Sequence, residues 1–271
     1  MKKLILLSLA LTAIFSTSCN PKSNEPQSFF VYDIASIESH YVKDGKSIKI
    51  DNNFALVDAG GYYGLPRLKS QSFTNDTISL IEYEYHIGIG GKDSLVARRY
   101  VDGGRVLVDS LATNADGMAT AVIHKDGTTT PYYIEYDSQS MRTAVGDKKV
   151  NIELGLYASV VKEGKTVVTF KYADRPNFIG MQQFSIPGNP YYWQTNIFGK
   201  QSQLLLHTAT VVEDGKDVVY TFKYTFDSNG FVTTEEIKRG EDPFMRNTYT
   251  YKSWVVSTGK PETKPAGSML N

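Results

Sequence analysis

The chain has 271 residues, with 29 Lys+Arg balanced by 29 Asp+Glu, four His and a single Cys. A protein whose main work is gripping phosphate backbones carries a cationic excess, which is missing here, and one sulfur cannot form an internal disulfide, a thiolate zinc site or an iron–sulfur cluster. Apolar residues at 41% place most of the chain among folded globular proteins and not among disordered ones.

Lys2 and Lys3 precede an apolar run from Leu4 to Phe15, followed by Ser16, Thr17, Ser18 and Cys19. The run is too short for a bilayer core, which takes about 20 residues in a helix. A charged start, a short apolar segment and small residues describe a secretory signal. With the only cysteine directly after those small residues, the segment resembles a bacterial lipoprotein signal, so residues 1–18 are expected to be removed and Cys19 to carry the lipid. Loss of Lys2 and Lys3 leaves 27 basic and 29 acidic residues, a formal charge of −2. Residues 19–28, polar and proline-containing, read as a tether. Surface-exported lipoproteins of Bacteroidetes type carry an acidic cluster just after the cysteine, whereas the first acidic residue here is Glu25. By that resemblance the expected address is the outer membrane, facing the periplasm, with the membrane as partner through the lipid.

From Phe29 onward, period-two alternation dominates and no long amphipathic helix appears. The expected fold is all-β: a large curved antiparallel meander sheet, open or partly closed into a barrel, built from successive hairpins. Lys43-Asp44-Gly45-Lys46 opens a series of turns continued by Lys125-Asp126-Gly127-Thr128, Lys162-Glu163-Gly164-Lys165 and Glu213-Asp214-Gly215-Lys216. In each, glycine supplies the positive φ of a tight hairpin and the acidic residue tolerates turn geometry. Runs bounded by such signals give roughly fourteen to eighteen strands, in one domain over residues 29–256 with a loose tail at 257–271.

Taken in chain order, several stretches carry chemistry. Gly60-Gly61-Tyr62-Tyr63-Gly64-Leu65-Pro66-Arg67 is an aromatic loop. Ile81, Tyr83, Tyr85 and Ile87 alternate with Glu82, Glu84 and His86. Residues two apart on a strand share a face, so these three could serve a glycan hydrolase or a metal, or they could be a solvated strand face. Gly88-Ile-Gly90-Gly91-Lys92 lacks the spacing of a phosphate loop and reads as a turn, and so does Asn114-Ala-Asp116-Gly117. In Val150–Val160 the even positions are all apolar, the pattern of one buried strand face.

Ile186-Pro187-Gly188-Asn189-Pro190 leads into Tyr191, Tyr192, Trp193 and Gln194, adjacent aromatics and an amide of the kind that stack on sugar rings or anchor a protein partner. The same aromatics could instead plug an end of the sheet. Gln201–Thr210, with Leu204, Leu205 and Leu206, fits a short helix or a buried strand. Val218, Tyr220, Phe222, Tyr224 and Phe226 alternate with Thr221, Lys223 and Thr225. Glu235 and Glu236 are adjacent and must point to opposite faces. His40, His124 and His207 lie in unrelated segments, and no G-x-S-x-G elbow occurs, so neither a metal nor a cofactor is expected.

Tyr224-Thr-Phe226-Asp227-Ser-Asn229-Gly230-Phe-Val232 is similar to the YD unit of Rhs-type repeat proteins; Tyr136-Asp137-Ser-Gln-Ser140 matches it with serine in place of glycine. Together with the lipoprotein-like start and the Asn247–Tyr251 strand, the chain resembles the Bacteroidetes lipoproteins grouped as domain of unknown function 4595. That resemblance implies a curved antiparallel sheet in a protein with no assigned activity. The expected function is that of a non-catalytic, lipid-anchored envelope module binding a glycan, lipid or protein, and not nucleic acid. The alternatives are a carboxylate-dependent glycan hydrolase using Glu82 and Glu84, and a calycin-like barrel with an apolar ligand inside.

Overall fold

Period-two sequences punctuated by glycine turns fold as hairpins, and here the hairpins continue without interruption until the sheet meets itself. The structure, a computed structural model, describes residues 28–257 apart from 44–45, 57–65, 77, 87–93, 102–103, 105, 115–117, 125–131 and 178–198. Sixteen strands follow in order: β1 (Ser28–Lys43), β2 (Lys46–Leu56), β3 (Pro66–Thr74), β4 (Ile78–His86), β5 (Ser94–Val101), β6 (Val106–Thr113), β7 (Ala119–His124) and β8 (Tyr132–Tyr136). Then come β9 (Arg142–Val145), β10 (Lys148–Glu153), β11 (Leu156–Lys162), β12 (Lys165–Pro176), β13 (Leu204–Glu213), β14 (Lys216–Phe226), β15 (Val232–Arg239) and β16 (Asp242–Ser257). Each strand pairs antiparallel with its neighbours in sequence, and β1 pairs with β16, so the meander closes fully into a barrel. Among the described residues every regular element is a strand, and the three leucines at 204–206 begin β13.

Two turn chemistries recur at the ends of the barrel. At the first end, where odd strands pass to even ones, Glu163 and Gly164 have φ of 50° and 75°, and Asp214 and Gly215 have 49° and 75°. Positive φ at both central residues is the type I′ turn, whose twist matches that of paired strands. At the second end, Asp137 and Asp227 organise matching turns. Asp227 Oδ1 accepts from the backbone N–H of Asn229 and of Phe231, both at 2.9 Å; Asp137 Oδ1 accepts from Gln139 at 2.8 Å and Met141 at 2.9 Å. Ser140 adopts φ of 67° where its counterpart Gly230 has 86°. Asn114 Oδ1 accepts from Met118 N in the same way. Both ends of the described chain, Ser28 and Ser257, are paired with each other at the second end.

Alternation puts apolar side chains inside and charges outside. Ile48, Ile50 and Asn52 of β2 are buried, whereas Lys49 and Asp51 on the other face pair in solvent at 3.1 Å. Tyr220 and Phe222 point inward from β14 and Lys223 outward. One continuous cluster fills the interior, from Ile34 and Ile37 of β1 through Leu111, Val160 and Ala209 to Tyr249 of β16. A round barrel of sixteen strands encloses a watery lumen. Here Ala97, Leu111, Val160 and Ala209 have no accessible surface, so among the described residues the interior is packed around them. This arrangement inverts that of a membrane-spanning barrel, which turns an apolar band outward. Some of the polar side chains that enter the interior form matched sets: Asn52 Nδ2 donates to Ile37 O at 2.9 Å, Gln71 Nε2 to Asn52 Oδ1 at 2.7 Å, and Arg99 Nη2 to the buried Asp109 Oδ1 at 3.0 Å.

The pattern Val150–Val160 is corrected by the structure. It is a hairpin, β10–β11, turned at Leu154 (φ 51°) and Gly155 (φ 74°), and Leu154 is fully exposed. A two-residue turn places Ile152 opposite Tyr157, swapping parity, and a register shift then restores it by placing Val150 opposite Val160.

Candidate functional site

The first end of the barrel holds a groove of about 350 Å³ between β1, β15 and β16. Its cause is local. In the β15–β16 ladder Ile237 pairs with Met245 but Lys238 pairs with Pro243, so Phe244 is an extra residue. Such a bulge re-aims a side chain, and the Phe244 ring turns onto Tyr220 edge to face, with centroids 5.2 Å apart. Tyr41, Val42, Ile237, Phe244 and Met245 supply apolar surface, and His40, Glu236, Lys238 and Arg246 form the rim. Val42 is 50% exposed although apolar.

The rim is unevenly charged. Glu38 Oε2 accepts from Lys49 Nζ at 2.9 Å and its Oε1 faces His40 Nε2 at 2.9 Å. Lys49 first, and then His40, hold the Glu38 carboxyl below its ordinary range. Tyr41 OH donates to Asp76 Oδ2 at 3.2 Å. By contrast Lys238, Arg246 and Glu236 make no ion pair with any described residue, which leaves two cations against one carboxylate.

Two residues further into the barrel, and therefore on the same inner face as Tyr41, Met245 and Ile237, stand Ser39, Asn247 and Glu235. They are opposite one another across three adjacent strands and are 0%, 1% and 1% exposed. Asn247 Nδ2 and Tyr249 OH donate to Glu235 Oε2 at 2.7 and 2.8 Å. Ser39 Oγ, Asn247 Oδ1 and Glu235 Oε1 have no partner. Burial pushes the Glu235 carboxyl up to about 7, against hydrogen bonds from Asn247, Tyr249 and Tyr224 that pull it down. A proton on Oε1 makes the carboxyl neutral and gives it a donor of its own. Glu235 and Glu236 do face opposite ways, one buried and one exposed, as adjacency on a strand requires. The inward member is set by Ile237 two residues on, a signal present in the sequence.

Glu82 and Glu84 lie on the outer face of β4. Glu82 is exposed and accepts from Tyr100 OH at 2.7 Å; Glu84 pairs with Arg98 and raises its basicity. Both carboxylates are open to solvent, and neither lines the groove described above. His86 ends β4 opposite Ser94, and its side chain lies outside what the structure describes. Among the described residues no three His, Cys, Asp or Glu side chains converge on a metal position. Cys19, Tyr191, Tyr192, Trp193 and Gln194 lie outside the described residues, as does Gly60–Leu65. A calycin-like cavity needs an empty interior, and among the described residues Ala97, Leu111, Val160 and Ala209 are packed out of contact with solvent.

No family model matches the chain, and no curated protein does. A porin-like protein from Bacteroides uniformis ATCC 8492, known from its crystal structure, is similar to it at 13% identity, with a TM-score of 0.49 over 81% of this chain and 98% of that one.

Proposed function

We propose that this protein is a non-catalytic envelope binding module, anchored by lipid at Cys19, which holds a small amphipathic acid in the groove at the first end of the barrel. One observation carries the reading: an apolar floor of ligand size, with Val42 and Phe244 open to it, beneath a rim whose unpaired cations outnumber its carboxylate. Pockets of this size with few convergent polar groups are typical small-molecule sites. Kinship with the domain of unknown function 4595 lipoproteins belongs to the same proposal, supported by the shared hydrogen bonding of the Asp137 and Asp227 turns.

The test uses decanoate as probe in calorimetric titration of the mature chain. Decanoate should bind, decanol should bind about tenfold more weakly for want of the charge, and Val42→Asp should abolish both without lowering the melting temperature. Equal binding of decanoate by wild type and Val42→Asp would remove the groove from consideration. For the anchor, Cys19→Ala is expected to move the protein from the membrane fraction to the soluble one; if it stays with membranes, lipidation is not what holds it there.

A further inference from the structure

Arg142 is the bulkiest of the fully buried side chains among the described residues, at 1% exposure. It lies at the second end of the barrel, remote from the groove. Its Nη2 donates to Gln201 Oε1 at a long 3.4 Å, and its guanidinium carbon stands 5.4 Å from the centre of the Tyr157 ring. Nε and Nη1 have no partner. The surroundings are fixed: Lys200 N donates to Ser140 O at 2.8 Å, Tyr157 OH to Lys200 O at 2.6 Å, and Tyr157 N to Ser202 Oγ at 3.1 Å.

A second interior arginine shows what is missing. Arg99 meets Asp109 through Nε at 2.9 Å and through Nη2 at 3.0 Å. Among the described residues Arg142 has no such carboxylate. Of the two acidic residues nearest to it in the chain, Asp137 spends Oδ1 on the turn amides and Asp147 pairs with Lys148 and Lys162, and the sequence of residues 178–198 contains neither Asp nor Glu. Arginine cannot shed its proton. A buried charge without a counter-charge, with donors unmet, is strongly disfavoured.

We propose that Arg142 is the receptor for a small monoanion taken from outside the chain, either chloride or the carboxylate of a small acid. One guanidinium requires one negative charge, so a dianion would leave an excess in the same dry niche. The proposal is independent of the groove.

The test is thermal unfolding of the mature chain at constant ionic strength in sodium HEPES, with chloride, acetate or sulfate replacing it stepwise. Wild type should gain about 5 °C or more, saturably, with chloride or acetate. The anion acting at lower concentration identifies the source, and sulfate should give no saturable gain. Arg142→Met should give none with any anion, and Arg142→Lys, which keeps the charge if Met fails to fold, should retain a weaker response. The proposal is overturned if wild type shows no saturable gain, or if Arg142→Met responds to chloride and acetate as wild type does. Calorimetric titration of wild type with sodium acetate and sodium chloride reads binding without any variant, and absence of heat with both overturns it as well.

Discussion

Glu235 illustrates how one inward side chain ties stability to pH. Its folded carboxyl titrates at about 7 against an ordinary value of 4.5, because burial disfavours the charge. Between those two values the native state keeps a proton that the unfolded chain has released. The contribution of this group is therefore largest below the unfolded value, declines as pH rises from about 4.5 to about 7, and is flat beyond, a loss on the order of 3 kcal/mol. Glu235→Gln should remove that slope, because its amide oxygen can still accept from Asn247 and Tyr249 while the side chain has no proton to release. Denaturant titrations at pH 5 and pH 8 should show wild type losing stability relative to the variant, and parallel curves would mean that Glu235 is not the titrating group. Gly199 is a second position where a single atom matters. At φ of 75° it packs on Ser140 O and the Tyr136 ring, where a Cβ would collide with both. Gly199→Ala should cost on the order of 2 kcal/mol or more in equilibrium unfolding.

At the level of hairpins, turn chemistry decides which substitutions help. Ser140 and Leu154 hold positive φ without being glycine, and Leu154 also exposes its whole side chain. Ser140→Gly and Leu154→Asn should each raise stability by about 0.5–1 kcal/mol, measured as a higher denaturation midpoint, since the first relieves the left-handed strain and the second places Asn-Gly in a type I′ turn. Gly230→Ser should do the reverse. The acid-Gly turns at 163–164 and 214–215 were legible in the sequence because these residues suit the positive φ of a tight hairpin; those read at 44–45 and 126–127 lie outside the described residues. The Leu154-Gly155 turn was not legible, since the turn and the following register shift both change parity and together leave the alternation intact. The groove was hidden for a similar reason: a bulge at Phe244 is a mismatch between two strands and leaves no mark in either one alone. Arg142, two residues after a turn, gave no sign that it faces inward without a counter-charge.

At the level of the whole molecule, an all-β meander could be read from alternation and turns, but closure could not. The seam joins Ser28 to Ser257, the most distant strands in the chain, and no local pattern names a partner so far away. Truncation after Gly240 removes β16 and leaves β1 and β15 as long unpaired edges, which template association. The product should elute from size exclusion as aggregate, whereas removal of residues 258–271 should leave a monomer-sized, cooperatively unfolding protein. The sorting of connections between the two ends reaches further. With an even number of strands, the chain enters and leaves the barrel on the same side, and the groove lies on the other. On the proposed Cys19 anchor, residues 19–27 span at most about 30 Å, so the membrane lies on the same side of the barrel as Ser28, Ser257 and the Arg142 niche. The groove then opens at the far tip, facing the aqueous compartment, and its acid would arrive by diffusion through water and not by sliding sideways out of the lipid leaflet.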